Sequence, residues 1–265
     1  MSETPKSANP QRPVIFVGGA PRSGTTVTHA LLCTSDKANS YCPEISFVRP
    51  IVNGYAVGMQ NWAIHTTAFF KNRDEFRVHM RGQVLRSLNV VAAALGNPDV
   101  LVVKDPLMTP LFYWLNRMII PQMKFVIVVR NPNDVVRSRQ EVVEKMGSPF
   151  TVADTRAAAT EYMQSYAVLD VKEMSPSVFA LRYDDLTDDT VIDKLREFTG
   201  LPDISADKVW TEERTVNQNE AANPWFSPKY HRPINTERRL DPLAPEFRKV
   251  VAEVCGPLMA RFGWS

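Results

Sequence analysis

A loop rich in glycine and hydroxyl residues follows the first apolar run of the chain. It spans residues 18–26, reads GGAPRSGTT, and leads into a helical pattern. Such a turn directs several backbone N–H groups at one point, and the helix dipole favours negative charge there. The loop is therefore predicted to bind an oxyanion through Arg22, Ser23, Gly24, Thr25 and Thr26.

The spacing from Gly19 to Gly24 matches a nucleoside-triphosphate-binding loop, but Thr25 stands where that loop has lysine. Without the lysine a triphosphate loses its main counter-charge, so we predict a shorter anion. Arg22 offers a replacement charge. A tight turn that needs glycine only is the alternative interpretation.

A second candidate anion site follows a later apolar run. Arg130 ends that run, and Ser138 lies eight residues further on. On a helix that starts at Pro132, Ser138 shares the apolar face of Val135 and Val142, where a hydroxyl needs a partner. Arg130 favours paired phosphate recognition. A hydrogen bond from Ser138 to its own helix is the alternative.

The two sites together resemble the sulfotransferases that use 3′-phosphoadenosine 5′-phosphosulfate (PAPS). Their 5′-phosphosulfate loop has the form P-[KR]-[ST]-G-T-T, which residues 21–26 fit at every position. Their 3′-phosphate is bound by an Arg and a Ser eight residues later, as at Arg130 and Ser138, although Asn131 replaces the usual Asp. The resemblance implies in-line transfer of a sulfuryl group from PAPS to a hydroxyl or amine, with no metal required.

Sulfuryl transfer needs cations near the transferring oxygens. Arg22 is one candidate, and Lys104, at the end of the run VLVVK, is the other. The segment Lys104-Asp105-Pro106 resembles that of protein-tyrosine sulfotransferases and their bacterial relatives, where the Lys contacts the sulfuryl group. Arg at position 22 is also the choice of that subgroup. A solvated strand end is the alternative interpretation of Lys104.

The same resemblance makes Glu44 the candidate general base. The subgroup has its Glu one residue nearer to the loop arginine than Glu44, which lies 22 residues after it. An acid at a helix N-terminus is the alternative. Cytosolic small-molecule sulfotransferases have a His where this chain has Pro106, so His65 and His79 are the fallback bases.

Two further regions are expected near the nucleotide. Tyr183 and Asp185 resemble the Tyr-Glu-Asp-Leu segment of the family, although Tyr183 also suits a core position. A late loop lacks the usual Arg-Lys-Gly of the family. It carries instead a basic cluster that we expect over the 3′-phosphate, made of Lys229, His231, Arg232, Arg238 and Arg239. Lys229 and Arg232 are the two members selected as nucleotide ligands.

The predicted elements alternate between strand and helix. Apolar runs rich in Val and Ile predict parallel strands at 14–17, 100–103, 125–129 and 177–183, and helical patterns cover 25–32, 74–95, 132–145 and 151–172. The order predicts a three-layer α/β domain with a central parallel sheet, a phosphate-binding loop after the first strand, and ligands at the carboxyl ends of the strands. The resemblance implies the same fold, that of sulfotransferases and P-loop NTPases.

The chain is expected to form a flexible tail over 1–13 and a single domain over 14–265. Two segments, 45–70 and 209–241, lack a clear period. Long irregular segments in α/β domains are usually functional loops, so we expect the first to shape an acceptor pocket and the second to cover a ligand.

Composition excludes several classes of protein. The 265 residues carry 31 Lys and Arg against 29 Asp and Glu, and 44% are hydrophobic, as in ordinary globular proteins. A net charge of +2 argues against broad binding of nucleic acid or of anionic membranes. No apolar run approaches the roughly 20 residues of a membrane span. Three cysteines without a Cys-x-x-Cys pair favour a reducing, cytoplasmic location.

The acceptor is expected to be a small molecule, sugar or peptide, which the sequence does not narrow further. Two other functions compete with sulfuryl transfer. The Gly19 to Gly24 spacing suggests an atypical nucleotide kinase, and loss of chemistry within the same fold suggests a non-catalytic nucleotide-binding protein.

Overall fold

A four-stranded parallel sheet lies at the centre of the computed structural model, which describes residues 12–119, 123–210, 234, 236 and 242–264. The strands are β1 (Val14–Gly18), β2 (Leu101–Lys104), β3 (Met123–Val129) and β4 (Val178–Arg182). They pair in the order β2-β1-β3-β4, and every pair is parallel. The predicted α/β class with a central parallel sheet is confirmed, and each strand lies within two residues of its predicted bounds.

Eight α-helices accompany the sheet in the described part of the chain. They are α1 (Thr25–Leu32), α2 (Arg49–Gln60), α3 (Arg73–Ala94), α4 (Phe112–Ile119), α5 (Pro132–Lys145), α6 (Val152–Tyr166), α7 (Asp189–Thr199) and α8 (Pro245–Phe262). The helices α1 and α5 have their predicted bounds, and α3 is shifted by one residue. Helix α6 ends six residues earlier than predicted, because the chain enters a 3₁₀ turn over Ala167–Asp170. Helices α2, α4, α7 and α8 were not predicted.

Alternate residues of β1 enter two separate cores. Val14 and Phe16 pack with side chains of α2 to α6 and α8, whereas Ile15 and Val17 pack with those of α1 and α7. Burial on both faces explains why the strands are continuous apolar runs. The two cores and the sheet between them form the predicted three layers.

Short polar side chains cap four of these helices in the described part of the chain. Asn72 accepts a hydrogen bond from the Glu75 amide before α3, and Asn131 accepts one from the Asn133 amide before α5. Thr151 forms a capping box at α6. Asp188 caps α7 by accepting hydrogen bonds from the Thr190 and Val191 amides. Each cap satisfies an amide that has no partner within the helix, so a short polar residue in the sequence indicates where such a helix begins.

The expectation of an irregular segment over 45–70 is wrong for residues 49–60, which form α2. Glycines at 54 and 58 lower helix propensity, and they obscured the period. Packing compensates, because Val52, Tyr55 and Ala56 are buried on one face. A Cβ atom at Gly58 would overlap the ring of Phe76 on α3, so the glycine permits the close approach of the two helices.

Several sequence expectations concern residues that lie outside the described part. These are most of the proposed tail, residues 1–11, and nearly all of the segment 209–241, including Lys229 and Arg232. The tail, the single domain and the covering loop stay predictions. In the described ranges, no helix has both the length and the apolar character that a membrane span needs.

His29 is a fully buried histidine on α1, and its side chain faces β2. Its Nε2 atom lies 3.1 Å from the carbonyl oxygen of Val102 and 3.5 Å from the Sγ atom of Cys33. Burial lowers the pKa of His29 from 6.5 to about 3, and the positive charge of Lys104 contributes to this decrease. The imidazole is therefore neutral in the folded protein.

We expect His29 to make the fold sensitive to acid. Between pH 6.5 and about 3 the unfolded chain binds a proton at His29 that the folded chain does not, so stability falls as the pH falls. Denaturant unfolding of the wild type should lose about 2 kcal/mol more between pH 7 and pH 5 than that of His29→Gln. The exposed histidine variant His65→Gln should retain the wild-type dependence, and equal slopes in all three proteins would contradict the assignment.

Candidate active site

The loop between β1 and α1 has a backbone conformation that requires glycine at two positions. Gly19 has a φ angle of 138°, and a Cβ atom there would lie 2.5 Å from the carbonyl oxygen of Val128 on β3. Gly24 has a φ angle of 106°, and its Cβ atom would overlap the ring of Tyr183. The loop backbone therefore packs directly against the ends of β3 and β4.

Side chains from two other elements anchor the start of this loop. The Gly19 amide donates to the Oγ1 atom of Thr109 at 2.9 Å, and the Ala20 amide donates to the hydroxyl of Tyr166 at 3.2 Å. Thr109 lies in a 3₁₀ turn, Pro106–Leu111, and Tyr166 ends α6. The motif alone does not reveal either residue, because both act through tertiary contacts.

The first turn of α1 presents backbone amides without partners inside the helix. The first intrahelical bond runs from the Thr28 amide to the carbonyl oxygen of Gly24 at 3.0 Å. The four preceding amides therefore lie at the positive end of the helix dipole; they belong to Gly24, Thr25, Thr26 and Val27. This is the arrangement that the loop sequence predicted for an oxyanion.

Ser23 adds a buried hydroxyl to the loop. Its side chain is fully buried and interacts with the hydroxyl of Tyr166, where it partly opposes the increase that burial causes in the pKa of that phenol. Its Oγ atom makes no contact with full hydrogen-bond geometry among the described residues. Buried hydroxyls are nearly always hydrogen-bonded in native proteins. The Ser23 hydroxyl therefore suits a ligand atom.

The structure brings the two predicted anion motifs together. Arg22 has a φ angle of 76°, and its Nε atom donates to the Oγ atom of Ser138 at 3.1 Å. Ser138 lies on the buried face of α5, as its spacing predicted. The loop that follows β1 and the helix that follows β3 thus share one polar contact.

Arg130 follows β3 and faces the same region. Its guanidinium carbon lies 4.2 Å from the ring centroid of Tyr183. Its Nε atom is buried, lies 3.9 Å from a carboxylate oxygen of Asp134, and makes no hydrogen bond in the described part of the chain. Since the Tyr183 ring also packs against Gly24, it connects Arg130 to the phosphate loop.

Lys104 and Glu44 form an ion pair at the end of β2. The Nζ atom of Lys104 lies 3.1 Å from the Oε1 atom of Glu44, and the two side chains are 5% and 43% exposed. The Ile45 amide donates to the carbonyl oxygen of Lys104 at 3.2 Å, which fixes the segment of Glu44 beside the strand. The alternative view of Lys104 as a solvated strand end is wrong, because its side chain is buried.

Asp105 and Arg49 extend this charged group. Asp105 is fully buried, its Oδ1 atom accepts a hydrogen bond from the Leu107 amide, and its Oδ2 atom lies 3.8 Å from the Nε atom of Arg49. Burial raises the pKa of Asp105, Arg49 opposes the increase, and the charge of Glu44 adds to it. The sequence pattern does not single out Arg49, because this residue starts α2 within the segment that has no clear period.

The fallback bases lie on other elements. His79 on α3 has its Nε2 atom 2.8 Å from the amide nitrogen of Gln83, and His65 precedes a 3₁₀ turn between α2 and α3. In the described structure neither forms a hydrogen bond or ion pair with Lys104 or Glu44. The described residues also hold no group of three His, Cys, Asp or Glu side chains arranged for a metal ion.

We expect Gly24→Ala to destabilise the protein. The added methyl group meets the Tyr183 ring, and the positive φ angle disfavours alanine, so unfolding free energy should fall by at least about 2 kcal/mol. The matched control is Gly256→Ala on α8, where a Cβ atom meets nothing within 4 Å and stability should be unchanged or higher. Equal thermal midpoints for the two variants would contradict this account of the loop.

Comparisons with known proteins identify the family of this chain. Residues 13–207 match a family profile described as "Sulfotransferase family". No curated protein matches the chain in sequence. The residues matched include the loop, Glu44, Lys104, Arg130 and Ser138.

Three solved structures share the fold. The sulfotransferase domain from the curacin biosynthetic pathway is 16% identical with a TM-score of 0.56, and the alignment covers 96% of this chain and 98% of that one. Sulfotransferase STF9 from Mycobacterium avium is 14% identical with a TM-score of 0.54, covering 97% and 78%. Mouse sulfotransferase SULT7A1, solved with PAP, is 14% identical with a TM-score of 0.52, covering 93% and 84%. Because the family match spans most of the chain and all the residues of the described site up to Tyr183, the chain belongs to the sulfotransferase family.

Proposed function

We propose that the sulfuryl donor is PAPS and that the acceptor is a hydroxyl or amine of a small molecule, sugar or peptide. The observation that carries this proposal is the buried Lys104 paired with the exposed Glu44, 3.1 Å apart at the strand end beside the phosphate loop. A cation for the transferring oxygens and a base for the acceptor proton are the two groups that sulfuryl transfer needs.

Two buried polar atoms support a donor with two separate phosphate groups. The Oγ atom of Ser23 lies in the loop beside Tyr166, and the Nε atom of Arg130 lies at the end of β3 near Asp134; neither makes a contact with full hydrogen-bond geometry in the described residues. PAPS supplies the activated sulfuryl group, and 3′-phosphoadenosine 5′-phosphate (PAP) leaves.

Two groups of residues are assigned to the donor. The amides of Gly24, Thr25 and Thr26, with Arg22 and Ser23, would hold the 5′-phosphosulfate end. Arg130, Ser138 and Tyr183 would hold the 3′-phosphate, and Lys229 and Arg232 are proposed to close over it. Amide, hydroxyl and guanidinium groups are the usual ligands of phosphate.

Lys104 is proposed to neutralise charge on the transferring oxygens. An ammonium group has three N–H donors, and the ion pair with Glu44 uses one of them. The other two remain for sulfonate oxygens, and the low exposure of Lys104 strengthens these interactions relative to water. Arg22 provides the second cation, on the loop side.

Glu44 is proposed to accept the acceptor proton. Its side chain is partly exposed while that of Lys104 is buried, so an acceptor reaches the carboxylate from solvent. The charge of Lys104 keeps the carboxylate oriented beside the reaction centre. Proton removal at Glu44 then accompanies the in-line attack of the acceptor oxygen or nitrogen.

Variants of the two cations should separate chemistry from binding. Lys104→Ala should lower turnover of radiolabelled PAPS, assayed with a panel of phenols, alcohols, sugars and peptides, by about 10²–10³-fold, because it removes transition-state charge stabilisation. Its dissociation constant for PAP, from calorimetry, should change far less. Arg130→Ala should raise that constant by about 10–100-fold. Lys172→Ala, at an exposed lysine, is the control.

Three outcomes would count against these roles. Equal turnover in the wild type and Lys104→Ala would remove Lys104 from the chemistry and favour a non-catalytic nucleotide-binding protein. Absence of PAP binding by the wild type would end the proposal of PAPS as donor. Magnesium-dependent consumption of ATP would favour the kinase alternative.

Glu44→Gln should lower turnover by about 10²–10⁴-fold, the usual contribution of a general base. The dissociation constant for PAP should stay within about twofold, because Glu44 faces the acceptor. Glu173→Gln, at an exposed glutamate, is the matched control. If Glu44→Gln retains wild-type turnover with every acceptor, another group is the base.

A further inference from the structure

Two tyrosines on α6 lie behind the nucleotide site. Tyr162 and Tyr166 are one helical turn apart, only 1% and 2% exposed, and their rings meet edge to face with centroids 4.6 Å apart. Both hydroxyls donate to carbonyl oxygens at the end of β3. Tyr162 donates to Arg130 at 2.6 Å, and Tyr166 donates to Val128 at 2.8 Å.

Tyr166 has a second partner on the phosphate loop. The Ala20 amide donates to the Tyr166 hydroxyl at 3.2 Å, so one oxygen atom joins the loop to β3. The loop and the strand are also in direct contact there. A Cβ atom at Gly19 would lie only 2.5 Å from the Val128 oxygen. Tyr166 therefore fixes the loop, and with it the proposed 5′-phosphosulfate subsite, relative to β3.

Tyr162 acts on the other subsite. Its partner is the carbonyl group of Arg130, the residue proposed to bind the 3′-phosphate. The side chain of Arg130 stacks on Tyr183 and lies near Asp134, without a hydrogen bond at Nε in the described residues, so the hydrogen bond from Tyr162 positions the backbone of this residue. Tyr162 therefore fixes the backbone position from which the Arg130 side chain extends.

Both hydroxyls remain donors at any working pH. Burial raises the pKa of Tyr166 to about 12, and burial also raises the pKa of Tyr162, where the nearby Tyr166 contributes. A carbonyl oxygen only accepts hydrogen bonds, so a protonated hydroxyl is required at each position. Phenylalanine would preserve the packing of each ring and remove only that donor.

We infer that Tyr162 and Tyr166 are positioning residues that hold the two phosphate subsites in one frame, and that Tyr162 determines the preference for nucleotides with a 3′-phosphate. The inference rests on the proposed function, because it uses the assignment of the loop to the 5′ end and of Arg130 to the 3′-phosphate. It predicts that the two tyrosines have different effects on nucleotides with one and with two phosphate groups.

Calorimetry with PAP and with adenosine 5′-monophosphate (AMP) tests this division. For Tyr162→Phe we expect the PAP affinity to fall about tenfold and the AMP affinity to stay within about twofold, the effect of one misplaced charged contact. For Tyr166→Phe we expect both affinities to fall about tenfold with their ratio unchanged. Tyr113→Phe is the matched control, because Tyr113 on α4 bonds only to Arg117 among the described residues.

A tyrosine that only stabilises the fold would lower the melting temperature and leave both affinities of the folded protein unchanged. Positioning is therefore distinguished at Tyr162 by the PAP-to-AMP ratio, and at Tyr166 by the tenfold fall of both affinities. The inference is overturned if Tyr162→Phe leaves that ratio at the wild-type value. If the wild type itself binds neither PAP nor AMP, the proposed donor fails instead, which is a different result.

A measurement on the wild type tests the Tyr166 contact without a variant. In hydrogen exchange without nucleotide, the Ala20 amide should be protected by at least about a hundredfold, because it is bonded to a buried hydroxyl. Exchange at the rate of an exposed loop amide would overturn the role of Tyr166 in fixing the loop.

Discussion

The close approach of the phosphate loop to β3 is the constraint on which the rest of the site depends. At Gly19 the carbonyl oxygen of Val128 lies where a side chain would begin, and at Gly24 the ring of Tyr183 does. Because the loop has no room to move toward the sheet, its amides stay directed at one point. Arg22 then reaches Ser138, and the strand ends supply the remaining polar groups at the same edge.

Two of the cations at this edge of the sheet each lie beside a carboxylate. Lys104 pairs with Glu44, and the buried Asp105 lies near Arg49. A buried ammonium group without a partner would cost several kcal/mol, so the carboxylate proposed as a base also stabilises the cation proposed to act with it. The neutral state of His29 follows mainly from its complete burial, and the nearby positive charge of Lys104 adds to the decrease of its pKa.

Local signals in the sequence predicted the strands, the helices α1 and α5, and most of the residues that meet at the site. Continuous apolar runs mark strands covered on both faces. Asn131 caps α5 by accepting a hydrogen bond from the Asn133 amide, only two residues further along the chain. The sequence did not reveal α2, whose Gly58 is explained only by packing against Phe76 on α3. It also did not reveal Tyr166, because its partners Ala20 and Val128 are far away in the chain.

The strand order has a consequence for folding. β1, the first strand of the chain, pairs with both β2 and β3, and Val14 is in register with Leu101 and Met123. These contacts close loops of more than 80 residues, which makes sheet formation slow relative to helix formation. Since each strand end carries part of the site, the nucleotide-binding edge is absent until distant segments have joined. During synthesis on the ribosome, the site therefore stays incomplete until β4 has emerged and joined the sheet.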